Sequence, residues 1–144
     1  MIATVRVIEA TADSSGSREA VWVLLADASK WAQWGAWSNV EVEGGGQHGP
    51  GAVRVLRRTP FRVRERVTDW VPGERMGYEL VDGMRVQGYS ALVTLEDSGQ
   101  GGTRVRWRSS YERADPLTAL LLRLAVWDAC RRVAKAASAP AGSA

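Results

Sequence analysis

From Val40 to Glu112 the apolar residues recur at every second position, in runs separated by short turn clusters, and this pattern decides most of what the chain can become. Val40 and Val42 alternate with Glu41 and Glu43, and strand-like runs follow over 52–58, 61–70, 75–81, 85–96 and 103–112. Between them stand Thr59-Pro60, Val71-Pro72-Gly73-Glu74, Asp82-Gly83 and Asp97-Ser98-Gly99-Gln100-Gly101-Gly102. Connections this short join antiparallel neighbours, so the stretch predicts a meander.

The flanks differ. Residues 2–10 are near-alternating and β-branched, and predict one more strand. Ser17 suits an N-cap for a helix over 18–27, and a second short helix is expected over 29–33. Asp115-Pro116 pairs a capping residue with a first-turn proline and opens a long helix to about Ala136. Along it Leu117, Leu120, Leu121, Leu124 and Trp127 form one apolar stripe, expected to be its core face. The small residues of 138–144 predict a disordered tail, leaving residues 1–137 as one domain. The fold class is therefore α+β: a sheet of about seven antiparallel strands with one face covered by the C-terminal helix.

Composition narrows the chemistry. Cys130 is the only cysteine and His48 the only histidine, which rules out an internal disulfide, a cysteine-based zinc site and a two-histidine metal site within one chain. No metal and no cofactor is expected. A Ser-His-Asp triad would depend on His48, in a loop (44–51) with five glycines, and that loop lacks the G-K-[ST] and following helix of a phosphate loop. A lone helical Cys130 reads as packing. The longest apolar stretch, 117–127, is broken by Thr118 and Arg123 and falls short of the ~20 residues a membrane span needs. A cytoplasmic protein with a reduced thiol is expected.

The basic residues are 17 arginines with Lys30 and Lys135, for a net charge of +3. By strand parity Arg54, Arg62, Arg64, Arg66, Arg104, Arg106 and Arg108 fall on the solvent side, beside Glu41, Glu43 and Glu79. That reads as exposed cross-strand pairs of small energy. A nucleic-acid partner is not expected, because this face offers few aromatics to stack on.

The same parity fixes the inner face: Val63, Glu65 and Val67; Met76, Tyr78 and Leu80; Gln87, Tyr89, Ala91, Val93 and Leu95; Thr103, Val105, Trp107, Ser109 and Tyr111. The residues alone leave two readings: a solid core whose tyrosines bond locally, or an apolar pocket with a few converging polar groups. Glu65 is the sharpest feature, a carboxylate between two valines that burial would push towards its neutral form. It is either half of a structural pair, with Arg57 across the hairpin as the expected partner, or a group facing a ligand. Trp31 and Trp34 are expected in the core, Trp22 between helix and sheet, and Trp37 and Trp127 facing a ligand.

The element order resembles that of the START/polyketide cyclase-dehydrase (SRPBCC) superfamily, whose fold is the helix-grip. The residues that carry the likeness are Glu19-Ala20-Val21-Trp22-Val23-Leu24-Leu25-Ala26-Asp27, Trp31-Ala32-Gln33-Trp34, Arg64-Glu65-Arg66-Val67-Thr68-Asp69-Trp70-Val71-Pro72, Leu95-Glu96 and Gly101-Gly102-Thr103-Arg104-Val105. The resemblance covers residues 2 to about 135. It implies a curved sheet gripping the C-terminal helix, with a cavity between them in which relatives bind lipids, sterols, quinones or polyketides; some catalyse ring closure or dehydration. On that reading the cavity takes a hydrophobic, lipid-like or polyketide-like molecule. Its lining would be Trp37, Val63, Glu65, Met76, Tyr78, Gln87, Tyr89, Trp107, Ser109 and Tyr111, with Leu120, Leu124 and Trp127 from the helix. The alternative is a cyclase/dehydrase-like enzyme in which Glu65, Tyr78, Tyr89 or Tyr111 handles protons. A third expectation is a homodimer formed through Leu122 and Val126.

Overall fold

β1 (Arg6–Ser14) and β2 (Asn39–Val42) are the two edges of a seven-stranded antiparallel sheet in the computed structural model, which describes residues 4–138. Between them, from the β1 side, run β8 (Gly102–Tyr111), β7 (Ser90–Gly99), β5 (Arg75–Asp82), β4 (Phe61–Val71) and β3 (Val53–Arg58). The meander thus lies in sequence order, and β1 joins it by pairing with the last long strand, Ile8 opposite Ser109 and Ala10 opposite Trp107. With the long C-terminal helix this is the α+β helix-grip arrangement the resemblance implies.

The run 85–96 is not one strand. Gly88 takes φ +67°, a left-handed conformation that interrupts the ladder. A short ribbon, β6 (Val86–Gln87) with β9 (Arg113–Ala114), therefore stands apart from β7. Two β-bulges curve the sheet. Arg64 pairs with Asp82 but Glu65 with Leu80, leaving Val81 as an extra residue of β5; Val67 pairs with Tyr78 but Asp69 with Gly77, leaving Thr68 as an extra residue of β4. Such insertions bend and twist a strand locally.

α1 (Arg18–Ala26) is capped by Ser17, whose Oγ accepts from the Ala20 amide at 3.1 Å. A 3-10 turn (Ala28–Lys30) and α2 (Trp31–Trp34) follow. Trp31 and Trp34 donate their indole N–H groups to the carbonyls of Leu25 and Leu24, both at 2.9 Å. Those carbonyls are last-turn groups of α1 with no partner inside the helix. The W-x-x-W segment is thus core, as expected, and also the C-terminal cap of α1. Trp22 packs edge-on to Trp70, ring centroids 5.0 Å apart.

α3 (Pro116–Ser138) starts at the Asp115 cap, whose Oδ1 accepts from the Thr118 amide at 2.9 Å. It packs on β1 and β8 through Leu122, Val126, Cys130, Val133 and Ala134. This reverses the expected faces. Leu117, Leu120, Leu121, Leu124 and Trp127 are each at least half exposed, and at 3.6 residues per turn they lie on the opposite side of the helix. The leucine stripe runs out at Trp127, where Arg131 and Lys135 continue its line, so it cannot cover the sheet along the whole helix. Leu122 and Val126, expected at a dimer interface, are core residues. The helix also includes Ser138, assigned by sequence to the tail. Ser138 Oγ donates to the Ala134 carbonyl and accepts from the Ser15 amide, at 2.8 and 3.0 Å. Beside it, a side chain at Gly16 would run into the Ala137 carbonyl, 2.2 Å from where a Cβ would sit. The remainder of the expected tail, 139–144, lies outside the described residues.

Candidate functional site

The inner face carries the polar groups that parity predicts on β4, β5, β7 and β8. Val63, Glu65, Met76, Tyr78, Tyr89, Trp107, Ser109 and Tyr111 are all buried there. Trp107 donates its indole N–H to the Tyr78 hydroxyl at 3.1 Å, and the Tyr89 hydroxyl shares a hydrogen bond with Ser109 Oγ, also at 3.1 Å. Trp31 packs edge-on to Trp107 at 6.0 Å, and Tyr78 lies 6.3 Å from Tyr89. Burial raises the Tyr78 hydroxyl well above its ordinary range, and pushes Tyr89 up to about 12. Both therefore stay protonated and can donate hydrogen bonds.

The residue sequence reasoning misplaced is Arg54. It points inward and is only 3% exposed. Its cross-strand partners are Val42 on β2 and Glu65 on β4. Its guanidinium lies over the Trp31 ring, 5.2 Å from the centroid, and Nη2 donates to the Ala26 carbonyl at 2.9 Å, capping the end of α1. Nε and Nη1 are buried with no hydrogen-bond partner among the described residues. Although Arg54 and Glu65 sit opposite each other, they do not close into an ion pair. Burial pushes Glu65 up to about 8, with Arg54 opposing the shift, and brings Arg54 down to about 10.

Parity failed on β3 because both of its faces carry buried apolar residues. Val55 is buried on the outer face, where its cross-strand partners are Glu41 and Arg64. Leu56 marks the inner face that Arg54 shares. The useful signal was the turn: Thr59-Pro60 pairs Arg58 with Phe61 and, counting back along both strands, Arg54 with Glu65. Arg57, the expected partner of Glu65, lies on the outer face and binds Glu41 instead.

Two concavities flank this pair. A cleft of about 600 Å³ is lined by Glu79–Met84, Val86 and Gly88–Ser90. A second, of about 390 Å³, lies between the 3-10 turn and β2, lined by Asp27–Ser29, Val40–Val42, Gly44–Gly46 and His48. Leu80 of the first stands opposite Glu65, and Val42 of the second stands opposite Arg54, so the buried pair lies between the two. Neither wall includes a residue of α3. The space expected between helix and sheet is occupied at α3 by its own core residues. Of the remaining expected lining residues, Trp37 is half-buried against the core, whereas Gln87 is exposed because the break at Gly88 turns it away. Leu120, Leu124 and Trp127 are not brought to the inner face. Among the described residues no three His, Cys, Asp or Glu side chains stand together as a metal site. Cys130 is buried, its thiol pushed up to about 11 by burial, and donates weakly to the Val105 carbonyl at 3.5 Å.

Comparison with known proteins agrees with this architecture. A family model described as polyketide cyclase / dehydrase and lipid transport matches residues 6–139. No curated protein matches the chain. Among solved structures, an uncharacterized protein from Bacillus thuringiensis aligns at 17% identity over 94% of this chain and 100% of its own, with a TM-score of 0.76. The protein XoxI from Bacillus cereus aligns at 18% identity over 93% and 94%, TM-score 0.71. The Aha1 dimer from Colwellia psychrerythraea aligns at 18% identity over 83% and 86%, TM-score 0.69. Identities this low establish a common fold.

Proposed function

The chain belongs to the polyketide cyclase / dehydrase and lipid transport family, and we propose that it binds a hydrophobic small molecule at the inner face of the sheet, with the molecule's polar end held at Arg54 and Glu65. The observation that carries this reading is the buried pair with two guanidinium nitrogens, Nε and Nη1, left without a partner among the described residues. Buried donors are ordinarily satisfied, and leaving one unpaired costs about 1–3 kcal/mol. A ligand oxygen between Arg54 and Glu65 would satisfy them. The cleft beside Leu80 and Tyr89 is the approach, and its volume falls within the range of drug-sized sites. Met76, Tyr78, Tyr89 and Trp107 supply the apolar and aromatic surroundings, and Ser109 holds Tyr89 in place.

Native mass spectrometry of the purified protein tests for a bound molecule, and titration of that molecule against variants tests the anchor. Arg54→Met is expected to weaken binding about tenfold to a hundredfold, as loss of a charge-assisted hydrogen bond does. Unchanged affinity in both Arg54→Met and Glu65→Gln would sink the reading.

A second reading, a cyclase/dehydrase-like reaction, is favoured by one observation. Glu65 is buried on the inner face with the Tyr78 and Tyr89 hydroxyls, and burial pushes it up to about 8, a range in which a carboxyl can both give and take a proton. Tyr78 and Tyr89 would then serve as donors. The two readings part at Glu65→Gln: a binder loses affinity, whereas an enzyme keeps affinity and loses turnover.

A further inference from the structure

The outward face of α3 is unlike a solvent-facing helix surface. Leu117, Leu120, Leu121, Leu124 and Trp127 are exposed by 65, 52, 50, 56 and 53%, and they form one continuous stripe. Soluble monomers seldom leave so many large apolar groups together unless something covers them. Further along the same line the residues are Arg131 and Lys135, with Arg132 beside them. The helix thus presents one face that is apolar over its first three turns and cationic over its last two. Its only acid, Asp128, is already paired with Arg132 at 2.7 Å, and the nearby Asp115 is spent on the Thr118 cap. The stripe starts beside the cleft, because β9 pairs with β6, whose Val86 lines the cleft, and then leads into α3.

We infer that this face docks on an anionic lipid surface, the leucines and Trp127 entering the boundary of the acyl chains while Arg131 and Lys135 meet the head groups. Apolar residues with tryptophan beside a cluster of basic residues are what hold a helix in the plane of a membrane interface. No described helix is long and apolar enough to cross a membrane, so the helix lies along the surface. The charges argue against a second copy as the occupant. Antiparallel packing of two α3 helices would set Arg131 and Lys135 against the partner's leucines, and parallel packing would set them against each other.

Co-sedimentation of the full chain with vesicles tests this, comparing phosphatidylcholine alone with phosphatidylcholine containing one-third phosphatidylglycerol. Binding is expected only with the anionic lipid, and weakening as salt is raised. Arg131→Glu with Lys135→Glu should weaken it about thirtyfold or more, since each basic residue at the surface contributes about 1 kcal/mol. Leu120→Gln with Leu124→Gln should weaken it more than tenfold, with the thermal transition unchanged because both side chains are exposed. Equal association with the two vesicle types, or none, overturns the inference. So does a dimer in analytical ultracentrifugation that the leucine variant converts to monomer, which would assign the face to a second copy. None of these outcomes depends on whether a ligand binds the inner face.

Discussion

Arg64 and Arg54 stand on neighbouring strands and each faces carboxylates, but from opposite sides of the sheet. Arg64 looks outward, donating to Glu43 at 2.7 and 2.8 Å and to Asp82 at 2.6 Å. Its neighbours repeat the theme: Arg66 with Glu79, Arg104 with Asp13, Arg106 with Glu9. In water each such pair adds little, because hydration competes with every contact it makes. Arg54 makes fewer contacts, yet its removal from water makes every one of them matter. Two of its nitrogens lack partners among the described residues, the opposing carboxyl is pushed towards neutrality, and the end of α1 depends on its Nη2. The pair with the better geometry is therefore the weaker structural element, since environment sets the energy.

The largest effect expected from breaking this contrast is on the inner face. Arg54→Ala removes a buried charge, a helix cap and a ring contact together, and should lower unfolding stability by about 3–5 kcal/mol in urea titrations. Retention of full stability would mean that the inner arginine is no different from the outer ones. Replacing both partners, Arg54→Met with Glu65→Leu, should recover most of that loss, because buried pairs often exchange for apolar groups at little cost. A double variant as weak as Arg54→Ala would assign the effect to the α1 cap alone.

Glu65→Gln sharpens the comparison through pH. The folded-state value of Glu65, about 8, lies above its ordinary 4.5. The folded protein thus holds the proton more tightly, so the stability linked to it is complete below about pH 4.5 and is lost as pH rises towards 8, by up to about 1.4 kcal/mol per pH unit. Arg54, at about 10, does not titrate in this window. Denaturation curves of the glutamine variant should show this slope flattened; an identical slope would remove Glu65 as its source. The smallest effect is expected outside. Arg66→Ala and Arg104→Ala should each change stability by no more than about 0.5 kcal/mol at moderate salt.

How much of this was legible beforehand follows from the same two environments. On β4, β5 and β8 the two faces differ sharply in polarity, so alternation alone placed Glu65, Tyr78, Trp107 and Ser109 inward. β3 carries buried valine and leucine on opposite faces, and only the register set by the Thr59-Pro60 turn assigns Arg54 to the interior. α3 misled for a different reason. Its most apolar stripe is the one left exposed, while the core face, after Leu122, is built from smaller residues, Val126, Cys130, Val133 and Ala134. A stripe read by hydrophobicity alone does not say which of two apolar faces runs the full length of the sheet. Gln87 failed because one glycine, Gly88, broke a run that looked continuous.

The bulge at Val81 separates two properties that usually travel together. Removing that residue would leave Arg64 opposite Asp82 and Glu65 opposite Leu80 in unbroken alternation, with every side chain on its present face. What would go is the bend beside Glu65. The curvature over Arg54 and Glu65 is thus encoded apart from the two residues themselves, so a single-codon deletion, which also takes Val81 out of the cleft wall, would reshape the space beside the pair while leaving both of its members in place.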